Sequence, residues 1–164
     1  MIRAAVRERA GVRYWGFDFF TAQAGDETKG RDSSWRRLGL EQVRGRLAGL
    51  GAEINLVPGD SNVTLASAHL PPVDFAFIDG GHSYDNVSAD WRNLQPHLAP
   101  GAAVLFDDYT NVSAVQHAGY GVRRLVDELS SEFRIELLRP IDVFPTGYGR
   151  LETRFALLHV PGNS

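Results

Sequence analysis

The sequence contains no cysteine, which excludes disulfides, thiolate zinc centres and cysteine nucleophiles and leaves carboxylate, imidazole and hydroxyl groups to carry any chemistry. It also lacks any run near the ~18 apolar residues that a membrane-spanning helix needs. Its start, MIRAAVRERAGVRYWG, has no signal-peptide hydrophobic stretch. A soluble, cytoplasmic chain is expected. An excess of charge of one sign is missing too: 17 Lys and Arg against 20 Asp and Glu give a formal net charge of -3. No broad basic surface is available to neutralise a phosphate backbone, so neither nucleic acid nor a membrane is an expected partner. Asn62, Asn86 and Asn111 each open an Asn-x-Ser/Thr triplet, but without a secretory signal they would not meet the glycosylation machinery.

What is present suits one domain, since 164 residues of ordinary apolar content can bury a single core. Apolar runs are short and rich in Val, Ile, Phe and Leu, and stretches of helical period separate them, the pattern of a mostly parallel sheet covered on both faces. The fold class read from this is α/β. Strands are predicted at Arg13–Phe17, Glu53–Val57, Val73–Ile78, Ala102–Phe106, Phe133–Leu138 and Thr153–Val160. Helices are predicted at Met1–Arg9, Trp35–Leu50, Ser61–His69, Tyr84–Leu98 and Val115–Glu132. The polar stretch between Asp18 and Ser34 is long for a connection and reads as a loop or lid.

In open parallel sheets ligands bind beyond the carboxyl ends of the strands, and here those ends are acidic. Asp18 follows RYWGF, Asp60 follows INLVPG, Asp79 follows VDFAFI, and Asp107 with Asp108 follows AAVLF. Five carboxylates on four strand ends are expected to converge on one rim. Such a cluster calls for a hard cation or bound hydroxyls to offset its repulsion, and magnesium suits it better than zinc. Asp79, Asp107 and Asp108 are the candidate metal ligands; the bland alternative is that each Asp only caps the next helix.

His82, in the glycine turn IDGGHSYDNV, is the candidate general base. Asp18 is placed to accept the hydroxyls of a ribose, and Asp60 with Ser61 can cap the next helix, bind an adenine amino group, or do both. His69, His97, His117 and His159 show no ligand spacing and carry no assigned role. Trp15, Trp35 and Trp91 read as packing aromatics, and the arginine pairs beginning at Arg36 and Arg123 as solvated helix faces.

The segment VDFAFIDGGHSYDNVSADWRNLQPHLAPGAAVLFDDY resembles the fourth strand, helix and fifth strand of class I S-adenosylmethionine-dependent methyltransferases. It is nearest to the metal-dependent small-molecule O-methyltransferases, including the macrocin-type sugar enzymes. RYWGFDFF resembles the second strand with its ribose-binding acid, and INLVPGDSNVTL the third strand with its adenine turn. The resemblance implies a Rossmann-like, doubly wound, mostly parallel sheet with an antiparallel C-terminal strand. It implies S-adenosylmethionine as cofactor, with Asp18 at the ribose, Asp60 and Ser61 at the adenine, and Asp79, Gly80 and His82 beside the donor. Asp79, Asp107 and Asp108 would hold Mg2+ or another divalent cation, and His82 and Asp79 would be the catalytic pair. The acceptor is expected to be a hydroxyl of a small molecule, a sugar or natural product.

The chain departs from that family by lacking the first strand and its glycine loop, so it reads as an N-terminally incomplete methyltransferase-like domain. Three arrangements would follow: a late start, direct pairing of the second and fourth strands, or a strand lent by a partner. The competing functional reading is a truncated, catalytically inactive remnant. A metal-dependent phosphoesterase is a third, but no strand-end turn offers the lysine or arginine it would want. Thr21–Ser34 and Ile141–Arg150 are the candidate acceptor loops, and IDVFPTGYGRLETRF is a candidate edge hairpin through which the chain forms a homo-oligomer.

Overall fold

A computed structural model describes residues 1–20, 38–111, 121–146 and 149–163. Thr21–Ser34, Trp35 and His117 lie outside the described residues. The chain divides into two compact units, Met1–Thr64 and Leu65–Ser164.

The first unit holds helix α1 (Ile2–Glu8), strand β1 (Arg13–Asp18), helix α2 (Leu40–Leu47), strand β2 (Glu53–Pro58) and the short helix α3 (Ser61–Thr64). β1 and β2 run parallel in the register Arg13↔Glu53 to Asp18↔Pro58. Each strand shows four half-buried residues between exposed ends, and none of the unit's described residues is fully buried. α3 is shorter than the predicted Ser61–His69 because the Ala68 N–H bonds the carbonyl three residues back, at Leu65, so the four-residue helical ladder ends.

The second unit holds strand β3 (Val73–Ile78), helix α4 (Tyr84–Leu94), strand β4 (Leu98–Thr110), helix α5 (Val122–Leu129) and strands β5 (Arg134–Leu137), β6 (Asp142–Thr146) and β7 (Gly149–His159). Pro96 lies in the 3-10 turn that follows α4, where its missing N–H cannot continue an α-helix. The sheet order is β3-β4-β7-β5, with β6 added to β7. β3 and β4 are parallel, whereas β4, β5 and β6 all run antiparallel to β7. β7 alone opposes its neighbours, so the expected antiparallel C-terminal strand is found. The expected hairpin is found in IDVFPTGYGRLETRF: β6 and β7 pair antiparallel from Asp142↔Thr153 to Thr146↔Gly149. Among the described residues, β1 pairs with β2 and β3 with β4.

The core follows from periodicity. α4 buries Val87, Trp91 and Leu94, and α5 buries Val122, Leu125, Val126 and Leu129, each an i, i+3/i+4, i+7 stripe. Trp91 meets the rings of Phe106 and Phe133 at centroid distances of 6.0 and 5.5 Å. Along β4, Ala102, Val104 and Phe106 are buried in strict alternation, and burial then resumes at Tyr109 rather than at residue 108. The register gives the reason: Phe106 opposes Ala156 and Tyr109 opposes Arg154, so Asp107 and Asp108 face a single residue of β7. This is a β-bulge, which breaks the two-residue period and re-aims the inserted side chain.

Candidate active site

Asp107 and Asp108 were expected just past the end of a strand; they lie within it, because β4 continues to Thr110 by pairing with Thr153. The bulge places Asp108 in a left-handed backbone conformation, φ 55°, uncommon for a residue with a side chain but best tolerated by Asp and Asn. Its N–H donates to Asp107 Oδ1 at 2.8 Å. Its carboxylate Oδ2 lies 2.8 Å from His82 Nδ1.

His82 stands in the β3–α4 turn. The Ser83 hydroxyl caps α4 by accepting the Asn86 N–H at 3.2 Å, which frees Asp79 from the capping role that the bland reading gave it. Gly80 leaves room for the buried Asp90, whose Oδ2 would sit 2.9 Å from any Cβ there. The His82 imidazole keeps 41% side-chain exposure and Asp108 25%, so the pair is partly shielded and still reachable.

The electrostatics follow from crowding. Partial burial first, then the charge of Asp107, a hydrogen bond shared with it, and the charge of Asp108 raise the Asp79 pKa from 3.8 to about 6, against an opposing effect of His82. The hydrogen bond to Asp108 raises the His82 pKa above its ordinary 6.5; burial opposes this, and the charges of Asp108, Asp79 and Asp107 add to it. With Nδ1–H held by a carboxylate, Nε2 is the ring atom able to take a proton from a bound hydroxyl.

The structure thus brings Asp79, His82, Asp107 and Asp108 together. It does not assemble them into a metal centre: among the described residues no three His, Asp or Glu side chains are arranged to hold a metal ion. As placed, Asp108 is engaged by His82 at 2.8 Å and Asp79 by Asp107.

In the first unit, Asp18 and Asp60 lie at the same end of the β1–β2 pair, with the Gly59 N–H donating to the Asp18 carbonyl at 2.9 Å. Asp18 is exposed, and its Oδ1 accepts the Phe20 N–H at 3.2 Å. Asp60 Oδ1 accepts the Asn62 N–H at 2.9 Å, and its carbonyl accepts from Val63 and Thr64. The helix-capping alternative for Asp60 is therefore realised, and Ser61 opens the helix it caps. The five carboxylates fall into two sets, one in each unit.

A family model described as a methyltransferase domain matches residues 1–109. The chain belongs to that family. The methyltransferase domain is similar over 98% of its length to the O-methyltransferase NovP, with a TM-score of 0.64 at 20% identity and 65% of that chain covered. It is similar over 98% of its length to the O-methyltransferase TomG of Streptomyces achromogenes, solved with S-adenosylmethionine, with a TM-score of 0.54 at 20% identity and 78% of that chain covered. At such identities the likeness is one of fold, the Rossmann-like fold of the class I enzymes. An uncharacterized protein of Sinorhizobium fredii, y4gI, is 36% identical over 77 residues, 47% of this chain and 7% of that protein. The domain thus spans a small part of this curated relative and less than two thirds of NovP.

Sequence reasoning missed the bulge and what α5 contributes. Tyr84 and Tyr109 gave no signal of a role, and Arg123 and Arg124 were read as a solvated face. The visible clue was the doubled i, i+4 pattern Arg123–Asp127 and Arg124–Glu128.

Proposed function

We propose that this domain transfers a methyl group from S-adenosylmethionine to a hydroxyl of a small molecule, a sugar or natural product. The observation that carries the reading is the His82–Asp108 pair at 2.8 Å, a base with a fixed tautomer in a domain of the methyltransferase family. The bound cofactor supplies an electrophilic methyl: the acceptor oxygen–carbon bond forms, the carbon–sulfur bond breaks, and the sulfur keeps the electron pair as a neutral thioether. The acceptor's proton passes to His82 Nε2, and Asp108 steadies the resulting imidazolium. Catalysis in this scheme is orientation plus removal of one proton.

The exposed Asp18, at the carboxyl end of a parallel strand, suits the two hydroxyls of a ribose. Asp60 and Ser61 are proposed beside the adenine, and Asp79 and Gly80 beside the donor. Divalent-metal assistance, which the family resemblance implies, finds no three-ligand site among the described residues and contributes no step.

The test is calorimetric titration with S-adenosylhomocysteine, with and without magnesium, on the parent chain and on Asp18→Ala. Binding that Asp18→Ala abolishes supports the cofactor placement, and tightening by magnesium would reinstate the metal. No binding by a chain shown to be folded favours the inactive remnant. Self-association through the β6–β7 hairpin, where Val143 and Phe144 are exposed, is checked by sedimentation; monomer alone at high concentration removes it.

A further inference from the structure

Both chemistry-bearing segments of the second unit are fastened to the same helix. Just after His82, the Tyr84 hydroxyl donates to Glu128 Oε2 at 2.7 Å, and Arg124 holds the other oxygen of that carboxylate at 2.9 Å. The Arg124 guanidinium lies 3.8 Å from the Tyr84 ring centroid, a cation–π contact. Just after Asp108, the Tyr109 hydroxyl donates to Asp127 Oδ1 at 2.9 Å, while Arg123 meets Oδ2 at 3.4 Å and the Asn111 carbonyl at 2.8 Å.

A third tie acts on His82 itself: the Gly121 N–H, at the start of α5, donates to the His82 carbonyl at 2.6 Å. A Cβ on Gly121 would run into the Tyr84 backbone, so only glycine permits this approach. The Tyr84 and Tyr109 latches draw on successive residues of α5 with the same Tyr–acid–Arg chemistry. Tyr84 opens α4 beside the His82 turn, and Tyr109 follows the bulge within β4.

We infer that α5 is the positioning element of the proposed base, with Tyr84 and Tyr109 as positioning residues that set the His82 turn against the Asp108 bulge. The inference rests on the methyl-transfer reading for the purpose of the base but on geometry for its content. A pairing at 2.8 Å between a turn and a bulged strand requires both to be held in one frame, because about 1 Å of misplacement costs a hydrogen bond and much of a base's efficiency. The tyrosine hydroxyls are spent on Glu128 and Asp127, so each acts through the backbone it anchors.

The experiment is a double-mutant cycle read on His82 and needs no known acceptor. Full-length chain is treated with diethylpyrocarbonate at a pH above the histidine's titration, and modification of His82 is timed by mass spectrometry. Asp108→Asn should slow His82 modification by about two- to tenfold, the value of one hydrogen bond of ordinary strength. In the Tyr84→Phe/Tyr109→Phe background the same substitution should change the rate much less, because the pair is no longer held. A purely structural role for the tyrosines would lower the melting temperature and leave the Asp108 dependence intact, which overturns the inference. Glu128→Gln, on the exposed face of α5, loosens the Tyr84 latch alone and serves if the double variant fails to fold; it too should reduce the Asp108 dependence, and full dependence there overturns the inference. Calorimetry with S-adenosylhomocysteine on the parent chain separates the two readings. Binding without coupling sinks only the positioning role, and coupling without binding sinks only methyl transfer.

Discussion

Asp108 Oδ2 reaches His82 Nδ1 at 2.8 Å from a left-handed backbone, φ 55°. Asn adopts that conformation as readily as Asp, so Asp108→Asn removes the charge without disturbing the bulge. Because the Asp108 hydrogen bond is the main cause that raises the His82 pKa, the variant's imidazole should titrate at lower pH, as read by NMR. The low-pH limb of any methyl-transfer profile should move down with it, since a base acts only when neutral. An unmoved titration would mean that Asp108 does not govern the ring.

Asp79 should cost stability at neutral pH. Its folded pKa, about 6, lies above the ordinary 3.8, so the folded chain binds the extra proton and stability falls as pH rises between those values. Asp79→Asn should therefore stabilise the chain at pH 7–8 by about 1 kcal/mol, after discounting for solvent screening. The gain should vanish below about pH 4. Urea denaturation at both pH values checks the sign; destabilisation at pH 8 would refute the crowding argument.

Trp91 is 4% exposed and packs against Phe106 and Phe133. Trp91→Ala should destabilise the second unit by roughly 3–5 kcal/mol through lost burial and the cavity left behind. Chemical denaturation measures this, and a loss below about 1 kcal/mol would be too small for a buried large-to-small change.

The two units should differ in hydrogen-exchange protection. The second has a buried β4–β7 centre, with Val104, Phe106, Ala156 and Leu158 fully covered. The first pairs β1 and β2 with no described residue fully buried, and a two-stranded ladder without such a core is marginal. Amides of β4 and β7 should outlast those of β1 and β2; equal protection would show that burial does not set local stability here.

The strands and their acidic ends were legible because period-2 and apolar-run patterns are local, and so was the helix stripe of Val87, Trp91 and Leu94. The reach of β4 to Thr110 was not, because it depends on β7 pairing from more than forty residues away. The shortness of α3 was hidden for a similar reason: a helical ladder's end is set by one backbone bond, not by composition. The site was half legible. Asp79, His82, Asp107 and Asp108 could be named from spacing, but not the partner each would take.

The sequence alone determined the class of chemistry: no thiol, balanced charge, carboxylates at strand ends and one histidine in a glycine turn. Tertiary structure decided how those groups are used. A one-residue bulge turned Asp108 to His82, crowding raised the Asp79 pKa, and α5 tied both segments to one frame. Residue types and local periods are written along the chain, whereas register and the crowding of charges exist only once distant segments meet.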